Sequence, residues 1–179
     1  TPKRTVKETL YGLPELLPAT ETSNSKVSHR VKAGSNKIDV SDHTPRFHSQ
    51  RDIDIFKLLA YDIKSGQLQY TSTDALKALY TEKTGKKSSV HKYYVLRENE
   101  PSNTIPAHLY KDGLRHIHPD PKQARSITIR EAARLQSFPD DFEFLGSNGS
   151  KYKMIGNAVP PLFAQKIAEA LQLTLEHNS

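Results

Sequence analysis

The sequence predicts an α+β chain, and three observations point there. Two stretches in its first half place apolar residues on one helical face, between polar N-cap residues and a closing glycine. The middle changes to short Tyr- and Val-rich runs around an Asp-Gly turn, which is strand and hairpin chemistry. The last third returns to helix, through a capping box and an apolar stripe that starts on a Pro-Pro pair.

The elements follow in order. Thr5 and Glu8 have capping-box spacing for a first helix, which Gly12 and Pro14 stop early. From Pro18 to Asp42 the sequence is polar with almost no apolar period, as a long mobile connection would be. Ser49, with Asp52 three residues on, caps a helix whose buried face is Ile55, Phe56, Leu58, Leu59 and Ile63, ending at Gly66. A second helix starts near Thr73 or Asp74, buries Leu76 with Leu79 or Tyr80, and closes at Gly85. His91 to Leu96 reads as a strand, and Thr104-Ile105 opens another extended stretch. Ala107 to Tyr110, the turn Lys111-Asp112-Gly113 and Leu114 to His118 together predict a β-hairpin crowded with cationic and imidazole side chains. Thr128 and Glu131 form a second capping box ahead of Ala132, Ala133 and Leu135, and Phe138-Pro139 breaks that helix. Pro160-Pro161 starts the last helix, where Phe163, Ile167, Leu171 and Leu175 recur every fourth residue. No internal repeat is visible.

Composition narrows the possible chemistry. The 179 residues are 35% hydrophobic, below the usual globular share, with 26% charged and 11 Pro, which implies a small core and long loops. Lys and Arg outnumber Asp and Glu by 26 to 20, and the net charge of +6 favours a polyanionic partner such as nucleic acid. There is no cysteine, so disulfides, thiolate metal sites and thiol nucleophiles are excluded from this chain. His116 and His118 have no cysteine or acidic partner at ligand spacing, so no metal site is expected. No apolar run approaches the roughly 20 residues that span a bilayer, and the start lacks a secretory apolar stretch, so a soluble, cytoplasmic protein without membrane contact is expected. Thr1 in place of Met fits a segment of a longer product.

Two strings go beyond helix grammar: RSITIREAARLQSFPDDFEF from Arg125 to Phe144, and GNAVPP from Gly156 to Pro161. They closely resemble the ninth and tenth conserved motifs of the cytosine-5 DNA methyltransferases, in family order and at a family-like separation. The resemblance is strongest from about Gln123 to Leu171. It is weaker for TVKETLYGLP, similar to the segment after the eighth motif, and for His43 to Ala60, similar to the lead into the target-recognition region.

The resemblance implies an organisation. Residues 1–42 are an N-terminal connecting segment, partly disordered; 43–122 are the target-recognition region, with its small antiparallel sheet or hairpin. Residues 123–179 carry motifs nine and ten, and end in the closing helix of an incomplete doubly wound α/β methyltransferase domain. Enzymes of this family flip a cytosine, attack it with a cysteine and transfer a methyl group from S-adenosylmethionine. The Pro-Cys-Gln loop, the Glu-Asn-Val segment, the Gln-x-Arg-x-Arg strand and the glycine-bearing first motif are all absent from this chain. It is therefore expected to be inactive alone, holding no catalytic residue.

Two roles remain by resemblance. Double-stranded DNA would be read by Thr104, Ile105, His108, Tyr110, Lys111 and Arg115, with Lys83, Lys86, Lys87 and Lys92 meeting phosphate only. For any one of these side chains the plain alternative is a solvated basic surface. Gly156, Asn157, Ala158 and Val159 would border S-adenosylmethionine, Gly156 permitting close backbone approach; the plain alternative is a helix-entry turn. Arg130, Glu131, Arg134 and Gln136 read as scaffold, Arg130 holding the recognition region against the catalytic lobe; His43 and Arg46 read as structural too.

The implied function is the C-terminal portion or small subunit of a DNA (cytosine-5) methyltransferase, with the N-terminal catalytic part or subunit of the same enzyme as its partner. That reading predicts an exposed apolar surface on the last helix and around Ile155 and Val159. The alternative is a catalytically inactive DNA-binding remnant, which needs no partner.

Overall fold

The computed structural model describes residues 3–19, 31–33, 38–111 and 113–177. Helix α1 spans Val6–Leu10, and its capping box is closed in both directions: Thr5 N donates to Glu8 Oε2 (2.9 Å) and Glu8 N to Thr5 Oγ1 (3.2 Å). Strands β1 (Val31–Ala33) and β2 (Ile38–Val40) pair antiparallel, Val31 opposite Val40. Helix α2 (Gln50–Ser65) starts on the Ser49 cap and ends on Gly66 at φ 76°. Helix α3 (Thr73–Thr84) starts on Ser72 and ends on Gly85 at φ 70°, the left-handed stop that a glycine takes without penalty. A 3₁₀ turn covers Ala107–Tyr110. Helices α4 (Ile129–Leu135), α5 (Asn148–Asn157) and α6 (Pro161–His177) complete the chain.

The sheet and hairpin expected within 43–122 are not there. Among the described residues of that region the extended segments make only single bridges: Phe47 to Ala19 (parallel), Val95 to Ile117 (parallel) and Ile117 on to Ser126 (antiparallel). The one ladder, β1–β2, falls instead in the stretch read as a mobile connection, and the rest of residues 20–37 lies outside the described residues. No doubly wound sheet accompanies α6 among the described residues. The physical reason lies in the turn at Ala107–Tyr110. Pro106 brings no N–H and precedes a turn that buries Leu109, while Arg46 collects the carbonyls of Leu109 (2.8 Å) and Tyr110 (2.7 Å) that a partner strand would have used. Asp112, centre of the expected Asp-Gly turn, lies outside the described residues; Gly113 has φ 69°, and a side chain there would collide with Ser126.

Two buried clusters form. One joins Val6 of α1, Leu96, Ile105, Leu109, the α4 residues Ala132 and Ala133, and Tyr152 and Ile155 of α5. The other packs Phe56, Leu59, Leu76 and Leu79 of α2 and α3 against Tyr93, Val95 and Ile117. The extended run 93–96 lies between them, because alternate side chains of an extended chain face opposite ways: Tyr93 and Val95 enter the second cluster, Leu96 and partly buried Tyr94 the first.

Candidate nucleic-acid interface and cofactor edge

The ninth-motif string is the most buried part of the chain, with residues 123–133 buried throughout. Glu131 meets Arg125 fork to fork (2.7 and 2.8 Å), and Arg125 also reaches Gln123 Oε1 (2.6 Å) and the carbonyl of Leu16 (3.2 Å). Burial alone would raise the Glu131 carboxyl, but the charge and hydrogen bonds of Arg125 outweigh it and hold the group below the usual carboxylate range. The same carboxylate accepts the Thr128 N–H (2.7 Å), so one side chain closes the α4 capping box and neutralises a buried guanidinium. Arg130 donates to Ser41 O and Oγ (2.9 and 2.7 Å) and to the carbonyls of Pro139 and Phe142. Arg134 pairs with Asp140 (2.6 Å) and reaches Tyr11 O (2.8 Å); Gln136 donates to Ile155 O (3.1 Å). His43 bridges Thr128 Oγ1 and Pro14 O.

This scaffold carries the stretch expected to read DNA. Thr104, His108, Lys111 and Arg115 are exposed; Tyr110 is half-buried under Lys153, whose Nζ lies 4.4 Å from the ring centre; Ile105 is core. Arg46 holds the turn that bears His108 and Tyr110 and stacks over Tyr152 at 5.0 Å. Arg115 donates to His91 O (3.0 Å). His116 is buried, its Nε2 3.1 Å from Thr104 O, and burial pushes its imidazole down to about 4. Of the lysines expected at phosphate, Lys83 pairs with Glu82 (2.8 Å) and Lys92 lies over the Tyr80 ring (5.0 Å), while Lys86 and Lys87 are exposed.

The tenth-motif string lies where α5 turns into α6. Gly156 is inside α5, and the close approach it permits in this structure is to the Pro106–Ala107 backbone, with which any Cβ would collide. Asn157 and Val159 are exposed beyond it. Along α6 no residue is buried: Phe163 is 59%, Ile167 44% and Leu171 60% exposed, and Val159 61%. Ile155, by contrast, is fully buried. The helix thus presents an apolar stripe that the described residues leave exposed.

Three features have no signal in the sequence. Arg125 and Glu131 are six residues apart, outside any helical pairing rule. Helix α5 buries only Tyr152 and Ile155 and carries almost no stripe. The reach of Arg46 to carbonyls more than sixty residues away has no local signature.

The C-5 cytosine-specific DNA methylase family model matches residues 5–173, nearly the whole chain. The chain belongs to the C-5 cytosine-specific DNA methylases. Among this methylase's relatives, the type II methyltransferase M.Bpa9945I of Bacillus paralicheniformis is 33% identical over 92% of this chain and 34% of its own length. M1.HphI of Haemophilus parahaemolyticus is 32% identical over 79% of this chain and 33% of its own. In three dimensions the methylase chain resembles an E. coli prophage DNA modification methyltransferase with TM-score 0.55 and 28% identity, covering 96% of this chain and 47% of that one. The chain spans about a third of the length of these two curated relatives.

Proposed function

We propose that this methylase chain recognises double-stranded DNA and completes the S-adenosylmethionine site of a DNA (cytosine-5) methyltransferase, methyl transfer requiring a complementary part that carries the catalytic cysteine. The observation that carries this reading is the uncovered apolar stripe of α6, continuous with the exposed Asn157–Val159 edge. A stripe of this kind calls for a protein partner, and its nearness to Asn157 would seat that partner beside the cofactor edge. A DNA-binding remnant acting alone would have no use for it.

S-adenosylmethionine supplies the methyl group when bound. The residues here fit one border of such a ligand rather than a full enclosure: Asn157 offers an exposed amide, Ala158 and Val159 a small apolar surface. Gly156 sets their position through its contact with Pro106 and Ala107. On the DNA side, Thr104, His108, Tyr110, Lys111 and Arg115 supply hydrogen-bonding and cationic groups for base edges and phosphates, and Ile105 anchors Thr104 in the core. Arg130, Glu131, Arg134 and Gln136 act as the scaffold that fixes both surfaces to one another.

The test is reconstitution. The chain is mixed with a protein supplying the missing motifs, and tritium transfer from S-adenosylmethionine to DNA is measured. Transfer only in the mixture is expected, with Asn157→Ala weakening cofactor use and Arg115→Ala weakening DNA binding. Absence of transfer, together with salt-sensitive DNA binding by the chain alone that ignores S-adenosylmethionine, would establish the remnant instead.

A further inference from the structure

The turn at Ala107–Tyr110 is packed so closely against α5 that its backbone leaves no room for a side chain at Gly156. Three residues before that glycine, Lys153 of α5 reaches over the same turn and sets its Nζ 4.4 Å from the centre of the Tyr110 ring. Lys153 is exposed, and no carboxylate of the described residues pairs with it. Lys151, two residues earlier, differs on both counts: it is mostly covered and its charge is met by Asp42 at 2.5 Å. An aromatic face attracts a cation and so narrows where the ammonium goes, while its charge and its outward N–H donors stay available. Lys111, next in the chain to Tyr110, is exposed as well. The ring therefore has one cation above it and another beside it in sequence.

We propose that Lys153 is a DNA contact, its ammonium meeting one backbone phosphate beside the turn, so that α5 belongs to the DNA surface. This rests on the reading that the turn meets DNA. A lysine is a compact point charge on a flexible stem, suited to a phosphate rather than to the two-pronged grip of a base edge. A phosphate contact fixes the register of the duplex without reading its sequence, which complements His108, Lys111 and Arg115. Asn157 lies one helical turn further along α5, about 6 Å away, so a phosphate at Lys153 falls between the base-reading turn and the proposed cofactor edge. The plain alternative is a lysine whose stem merely covers the Tyr110 ring, its charge left in solvent.

The full chain is titrated into a labelled mixed-sequence DNA duplex at several salt concentrations, with fluorescence anisotropy as the readout. Lys153→Gln and Lys153→Met are expected to weaken binding by on the order of fivefold at 0.1 M salt and to flatten the plot of log K against log salt by about 0.9, the share of one phosphate. Lys153→Met keeps an apolar stem over the ring, so its loss belongs to the charge, and Lys153→Arg should restore both affinity and slope. Lys57→Gln removes the same charge from an exposed position on α2 and should leave the slope as in wild type. Circular dichroism checks that every variant stays folded. Lys153→Gln and Lys153→Met that match Lys57→Gln overturn the proposal; if Arg115→Ala still weakens binding in the same titrations, the DNA-binding reading stands without Lys153. No salt-dependent binding by the wild-type chain overturns both.

Discussion

Arg125 and Glu131 face each other fork to fork in the interior, 2.7 and 2.8 Å apart, with Arg125 fully buried and Glu131 almost so. A buried pair of this kind stabilises less through its own attraction than through the damage done when one member is lost. Glu131→Gln is expected to cost about 3–5 kcal/mol by leaving the guanidinium uncompensated. The double substitution Arg125→Met with Glu131→Leu should cost less than the two single losses together. Urea titrations of Glu131→Gln, of Arg125→Met and Glu131→Leu singly, and of the double decide the matter, and additive losses would sink it.

Acid should loosen the same region through two imidazoles. Burial lowers His116 and His118 to about 4, against about 6.5 in the unfolded chain. Between those values the unfolded state binds more protons, so stability is complete above about pH 6.5 and falls as pH drops toward 4. The loss is on the order of 3 kcal/mol per ring across the window. Glu131, held below the usual carboxylate range by Arg125, adds to the loss only at the acid end of the window, where the unfolded carboxyl begins to take up its proton. A urea midpoint that is flat from pH 7.5 to 4.5 would contradict this.

Two glycines of α5 should respond oppositely to alanine. At Gly156 a Cβ meets the backbone of Pro106 and Ala107, which cannot swing aside, so Gly156→Ala is expected to destabilise by about 1–3 kcal/mol despite its better helix propensity. At Gly149 the nearest atom is Ser147 Oγ at 3.9 Å, and Gly149→Ala should be neutral to slightly stabilising. Thermal midpoints compare them directly; equal shifts would mean α5 does not need its close contact with the 3₁₀ turn.

The α6 stripe predicts a surface effect without a folding effect. Phe163→Lys and Ile167→Lys replace exposed side chains, so the unfolding free energy from urea titration should change by less than about 0.5 kcal/mol. Association of the chain, with itself or with a complementary part, should fall sharply in sedimentation experiments. Unchanged sedimentation would remove the stripe as an interface.

Helices α2, α3, α4 and α6 were legible in the sequence because their signals are local: hydroxyl or proline starts, left-handed glycine stops and a repeating apolar face. The 3₁₀ turn at Ala107–Tyr110 was not, because the group that shapes it, Arg46, arrives from across the fold, so strand chemistry alone misread it as a hairpin. Thr104, His108, Lys111 and Arg115 could be picked out by residue type, and they are exposed; Ile105 has equal β-propensity yet is core, a distinction only packing makes. The tenth-motif residues were visible as a string, whereas the contact that requires glycine at 156 was not.

The run from Tyr93 to Leu96 has a consequence for how this fold comes apart. Since neighbouring side chains there belong to opposite clusters, a slip of one residue would turn Tyr93 and Val95 out of one cluster and Leu96 out of the other in a single event. Neither half can then melt while the other keeps its shape, and a one-residue deletion in this run should abolish folding of both together, although it removes a single side chain.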